Sequence, residues 1–208
     1  PLALAQANEV RNKILSFNQI DPGKVKIEII KTSGDKFLNT SLSKIGGKGL
    51  FTKEIQQALI EKRIDIAVHS MKDVETDLPE KLVISTILKR EDVRDSFISR
   101  TYSSIADLPL GSVVGTSSLR RKAQLLNKRK DLKVVEFRGN VQKRLEKLDN
   151  NVAVATFLAT AGLNRLGLVE LINPISTDEM LPAVAQGAVG IEHLRSEKME
   201  EFLAPLND

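Results

Sequence analysis

The chain has 208 residues, 41% hydrophobic and 28% charged, enough to bury a substantial core in one domain or two. Its net charge of +4 is the small difference between 31 basic and 27 acidic residues, so basicity alone does not indicate nucleic acid, and seven Phe, one Tyr and no Trp make a poor stacking platform for single strands. The absence of cysteine excludes disulfides, thiolate catalysis and thiolate metal sites, and with His69 and His193 as the two imidazoles no metal centre is expected.

Residues 2–17 carry Leu4, Val10 and Ile14 at helical spacing, and residues 24–30 alternate as a strand. No apolar run approaches the roughly 18 residues of a membrane span and no basic-then-apolar leader precedes the first helix, so a cytoplasmic protein that avoids membranes is expected. The chain opens on Pro1, which is not a natural initiator, and reads as processed or as part of something longer. Phe51, Ile55, Ala58 and Leu59 predict a helix over about 50–62, with Lys44 and Lys48 just before or at its start. A buried strand at 64–68 follows, with His69-Ser70-Met71-Lys72-Asp73 at its carboxyl end, and then a strand at 82–88.

The polar stretch 89–95 reads as a crossing between lobes. A strand at 112–115 runs into the hydroxyl cluster Thr116-Ser117-Ser118, suited to N-capping, and Leu119, Ala123 and Leu126 predict the apolar stripe of a helix with Arg120 and Arg121 in its first turn. A strand at 133–137 leads to Arg138-Gly139-Asn140, a turn and N-cap, before a helix carrying Val141, Leu145 and Leu148, with Arg144 one turn inside. A strand at 152–157 follows, and a second crossing near 180–183 lets residues 187–191 return to the first lobe's sheet. This alternation predicts an α/β fold of mostly parallel sheets with helices on both faces. The lobes are expected over 1–88 with 188–208, and over 94–182, with the chain crossing twice between them.

Three of these junctions put cations where exposed N–H groups and the helix macrodipole are already positive. One such cluster is commonly a solvated charged surface. Three at equivalent strand-to-helix junctions point to an anionic ligand, bound outside the carboxyl ends of the strands. Lys72 and Asp73 can be read as an exposed turn with a weak ion pair. Among cationic walls, however, Asp73 is the carboxylate best suited to handle a proton or stabilise a developing cation. His69 reads as a structural histidine rather than a base.

Six ordered motifs, Gly46-Gly47-Lys48-Gly49-Leu50-Phe51, His69-Ser70-Met71-Lys72-Asp73, Val114-Gly115-Thr116-Ser117-Ser118-Leu119-Arg120-Arg121, Arg138-Gly139-Asn140-Val141, Ala161-Gly162-Leu163-Asn164-Arg165-Leu166-Gly167 and Gln186-Gly187-Ala188, resemble the signatures of the porphobilinogen deaminase (hydroxymethylbilane synthase) family. The opening Pro1-Leu2-Ala3-Leu4-Ala5-Gln6 resembles the family's start just after an arginine and a serine that contact cofactor, both missing here. The resemblance implies two lobes like type II periplasmic binding proteins and a third domain, absent from this chain, whose cysteine holds a dipyrromethane primer. It implies a transferase of tetrapyrrole (heme) biosynthesis that condenses four porphobilinogen molecules to hydroxymethylbilane with release of ammonia. It further implies Asp73 as the catalytic residue, Lys48, Lys72, Asp73, Ser118, Arg120, Arg121, Arg138 and Gly139 as cofactor-binding, and Lys44, Arg144, Arg165, Gln6 and Phe51 as substrate-binding.

Each pyrrole ring carries acetate and propionate arms, which arginine's planar fork pairs bidentately. Asp73 would exchange protons with pyrrole nitrogens and stabilise the azafulvene cation left by loss of ammonia. Without a cysteine the 208 residues cannot hold dipyrromethane by the family's thioether, so a truncated, monomeric chain with little activity of its own is expected. Two other readings stand beside this one: a non-catalytic anion-binding protein of the periplasmic-binding type, and a nucleic-acid binder, for which the expectation is negative.

Overall fold

The computed structural model describes residues 1–32 and 52–208. In chain order its elements are α1 (Leu2–Asn18), α2 (Lys53–Ile60), β1 (Ile66–Ser70), β2 (Leu82–Ile87), β3 (Asp95–Ser99), β4 (Val113–Gly115), α3 (Leu119–Lys128), β5 (Lys133–Val135), α4 (Val141–Asp149), β6 (Ala155–Ala159), α5 (Thr160–Leu166), β7 (Val189–Leu194) and α6 (Glu197–Leu203), with short 3-10 turns between. They form two units, Pro1–Glu91 with Gly187–Asp208 and Asp92–Gln186, so the chain passes from one to the other twice.

In the first unit β7 lies between β1 and β2 and is antiparallel to both. Its alternate residues Val189 and Ile191 are fully buried and meet Val10 and Ile14 of α1 and Leu203 of α6. The helix α1 turns Gln6, Val10 and Ile14 inward, one residue per turn. Leu59 of α2 packs with Ala67 of β1 and Leu82 of β2.

The second unit holds the sheet β3-β6-β4-β5. One layer of its core joins Phe97, Val114, Leu125 and Phe157, and the other joins Ile98, Phe137, Leu148, Leu158 and Leu163. Neighbouring residues on β3 and on β6 thus enter different layers, as strand geometry requires. Leu125 comes from α3 on one side and Leu148 and Leu163 from α4 and α5 on the other, so this sheet is covered by helices on both faces.

The α/β class stands, but the sheets are mixed rather than mostly parallel. Among the described residues parallel pairing is confined to β4 with β5 and β6, the strands joined through α3 and α4; β3 pairs antiparallel with β6, and β7 runs antiparallel to both its neighbours. Residues 24–30 form no strand with any described partner: the Val25 carbonyl accepts from Arg11 Nε at 2.9 Å, and Ile29 stands 76% exposed. The strands predicted at 64–68 and 152–157 lie two to three residues later, at Ile66–Ser70 and Ala155–Ala159. Among the described residues no helix is long and apolar enough to cross a membrane.

Candidate active site

The best-defined cluster lies in the second unit, at the start of α3. The Ser118 hydroxyl accepts from the Arg121 amide at 3.4 Å and caps the helix. The stripe expected from Leu119, Ala123 and Leu126 is not the buried face. Leu119 is 73% exposed, Ala123 is exposed, Leu126 is half-buried, and the helix turns Arg121 and Leu125 inward. Arg121 can be buried because Asp95, itself wholly buried at the start of β3, answers it. Arg121 Nε and Nη2 donate to Asp95 Oδ1 at 3.2 and 2.7 Å, and Nη1 donates to the Phe157 carbonyl at 2.8 Å. Arg120 Nη2 donates to the other oxygen, Oδ2, at 2.7 Å, and its Nη1 to the Leu181 carbonyl. Burial pushes the Asp95 carboxyl up, but Arg121 and Arg120 outweigh it and hold the group below its ordinary value.

The second cluster forms where β5 leads into α4. Asn140 caps the helix, accepting from the Lys143 amide at 2.9 Å, and Gly139 precedes it at φ 118, a conformation that L side chains rarely adopt. Arg144 Nε donates to the Gly139 carbonyl at 2.9 Å, and Lys147 Nζ donates to the Arg138 carbonyl at 2.9 Å while lying 5.4 Å over the Phe137 ring. Burial, then Arg121 and Arg138, lower Arg144 to about 10. A guanidinium pressed down by burial and by its cationic neighbours is one that an anion would relieve. Removing the cap in Asn140→Ala is expected to cost about 1 kcal/mol, read as a lower urea midpoint. Arg165 sits in the last turn of α5, half-buried.

In the first unit, Met71–Asp73 form a 3-10 turn directly after β1. Gln6 of α1 donates to the Ser70 hydroxyl at 2.8 Å and accepts from it at 3.2 Å, so its amide braces the end of that strand. Beneath the turn the buried His69 lies 2.9 Å, through Nε2, from Glu192 Oε2, and Glu192 Oε1 accepts from Gln56 at 3.0 Å. His69 is therefore a paired core residue. Lys72 and Asp73 are exposed, yet surrounding protein pushes the Asp73 carboxyl up from its ordinary value against the lowering pull of Lys72 and of His69. An accessible carboxyl with a raised pKa is suited to exchanging protons. Lys44, Lys48 and Phe51 lie outside the described residues.

Asp95 is the polar residue that sequence reasoning missed here, and Gln186, named within a signature motif, was given no role of its own. Gln186 Nε2 donates to the Val93 carbonyl at 2.7 Å and to Asp95 Oδ1 at 3.1 Å. The signal for Asp95 was a charge opening the run Asp95-Ser96-Phe97-Ile98-Ser99, directly after a polar stretch that reads as solvated.

A family model described as "Porphobilinogen deaminase, dipyromethane cofactor binding domain" matches residues 1–201. The chain is 54% identical over 209 residues to a porphobilinogen deaminase of Paracoccus denitrificans, covering 100% of this chain and 67% of that protein. It is 57% identical over 212 residues to a chloroplastic porphobilinogen deaminase of Pisum sativum, covering 100% of this chain and 58% of that protein. The chain thus spans about three fifths to two thirds of the length of these curated relatives. Among solved structures, a periplasmic substrate-binding protein of an ABC transporter from Coxiella burnetii matches at a TM-score of 0.57 and 14% identity, covering 97% of this chain and 86% of that one. The methionine-binding protein MetQ matches at 0.53 and 15%, covering 96% and 82%. These two likenesses concern the fold alone, that of type II periplasmic binding proteins.

Proposed function

The chain belongs to the porphobilinogen deaminase family, and from that premise we propose that it is the pyrrole-handling part of an enzyme that condenses four porphobilinogen molecules into hydroxymethylbilane, releasing ammonia at each condensation, in tetrapyrrole biosynthesis. The observation that carries the reading is the guanidinium cluster of the second unit, in which burial first, and then Arg121 and Arg138, lower a half-buried Arg144 to about 10. Such a cluster gains most from a ligand that brings several carboxylates at once.

Dipyrromethane, with two carboxylate arms per ring, fits this donor set, and Ser118, Arg120, Arg121, Arg138, Gly139, Lys72 and Asp73, together with Lys48, are the residues proposed to hold it. When bound it supplies the free pyrrole carbon to which each new ring is joined. Arg121 commits three of its five N–H donors to Asp95 and Phe157, and Arg120 two of its five to Asp95 and Leu181, which leaves both able to donate to carboxylate. Arg144 and Arg165, with Lys44, Gln6 and Phe51, are proposed to contact incoming substrate. For Gln6 the brace to Ser70 supports an indirect contribution, through the strand end that carries Lys72 and Asp73. The raised carboxyl of Asp73 is suited to take a proton from a pyrrole nitrogen and return it, and its ionised form to stabilise the cation left when ammonia departs.

The covalent anchor of the cofactor is proposed to lie beyond these residues, since none of the 208 is a cysteine. We place the chemistry in the cytoplasm and treat the chain as a monomer. Isothermal titration tests the reading without requiring turnover. Porphobilinogen should bind, and its dimethyl ester should bind at least about tenfold more weakly, the equivalent of one charge-assisted hydrogen bond. Equal affinities would remove the carboxylate argument. Duplex DNA bound tightly, with a steep loss of affinity as salt rises, would favour the nucleic-acid reading instead.

A further inference from the structure

Arg120 and Arg121 are consecutive on α3, and consecutive helical side chains point about 100° apart, so nothing in the helix itself makes them converge. They converge because Asp95 stands between them. Its Oδ2 takes Arg120, and its Oδ1 takes Arg121 twice and Gln186 once. The carboxylate is wholly buried, and three donor side chains surround it. We propose that Asp95 is a positioning residue for anion recognition, a buried carboxylate that locks the Arg120 and Arg121 guanidiniums into one fixed donor array, with Gln186 holding Asp95 in turn. The inference rests on the proposed reading of those two arginines as carboxylate ligands.

The proposal predicts a sign that simple electrostatics does not. If Asp95 only diluted the positive charge, Asp95→Asn would add one net charge to the site and tighten anion binding. If Asp95 positions the guanidiniums, the variant weakens it. An asparagine offers one acceptor oxygen, and its amide nitrogen opposite Arg120 Nη2 would set donor against donor. Arg120 is then released while Oδ1 can keep Arg121.

The test pairs titration of the chain with porphobilinogen and NMR measurement of guanidinium rotation. In the unaltered protein, rotation at Arg120 and Arg121 is expected to be slower than at Arg63 and Arg100, whose carboxylate pairs are solvent-exposed. Asp95→Asn should speed rotation at Arg120 and lower porphobilinogen affinity about tenfold, the loss of one charge-assisted contact. Circular dichroism should show the helix content unchanged. Unchanged or tighter binding would overturn the proposal, as would rotation at Arg120 and Arg121 as fast as at the exposed pairs. Should Asp95→Asn not fold, the rotation rates in the unaltered chain decide the matter. Should the unaltered chain not bind porphobilinogen, the functional reading fails, and the positioning role is judged on rotation in the two proteins.

Discussion

Asp73→Asn is expected to slow porphobilinogen consumption about 10²–10⁴-fold, the usual share of a positioned proton-transfer group, in a polypeptide that joins this chain to the rest of the family's length. Asparagine keeps the shape and removes the exchangeable proton, so substrate should still bind and the loss should fall on kcat rather than KM. The same substitution carries a stability signature of the opposite direction. The folded-state pKa of Asp73 is raised above the ordinary value of 3.8, so the protonated form is the one favoured by folding. That contribution is complete below pH 3.8 and is lost as pH rises through the folded pKa, leaving a group that opposes folding at neutral pH. Asp73→Asn should therefore raise Tm slightly at pH 7 and bring no gain in acid. A slower enzyme with an unchanged or lower Tm at pH 7 would mean that ionisation of Asp73 does not oppose folding. Near-normal turnover would remove it from the chemistry altogether.

The second large effect is expected at Gly115, the last residue of β4. A Cβ there would lie 2.3 Å from two atoms of the Phe137 ring, which is fully buried and has no flexible end to swing aside. Gly115→Ala should destabilise the protein by about 1–3 kcal/mol, the usual cost of overpacking a core. It should also weaken anion binding, because Phe137 is followed at once by Arg138 and Gly139, and Gly139 carries the carbonyl that accepts Arg144. Urea denaturation and porphobilinogen titration of the same variant measure the two effects separately. At Gly190 the corresponding Cβ would meet the Met71 Sδ at 2.2 Å, the end of a flexible side chain, and the penalty there should be smaller.

The strand-to-helix junctions were legible because capping and periodicity are local. Ser118 and Asn140 cap the helices that their hydroxyl and amide chemistry suggested. What escaped was decided by partners distant in sequence. Asp95 reads as a solvated charge until Arg121, 26 residues away, and Gln186, 91 residues away, are seen around it. For the same reason β3 was missed and α3 was rotated: a buried arginine looks like a polar face when its counter-ion is unseen, and Leu119 looks like core. Strand direction was misjudged because alternation of strands and helices predicts parallel neighbours, and a strand inserted from residues 189–194 obeys no such local rule. Residues 24–30 alternate convincingly, but alternation does not supply a neighbouring strand.

The origin of β7 also sets a timetable for synthesis. Among the described residues β1 and β2 are joined through β7, with His69 opposite Gly190 and Ile87 beside that same glycine, so the strand that lies between them is translated about 100 residues after β2 and later still after β1. At about 5–20 residues per second, β1 and β2 leave the ribosome roughly 5–20 s or more before their shared partner exists. During that interval the edges that β7 will fill present unpaired N–H and C=O groups, which invite association with other chains. The first unit is thus committed to finishing after the second, although it begins first, and its completion rather than that of the second is where slow refolding and dependence on chaperones should appear.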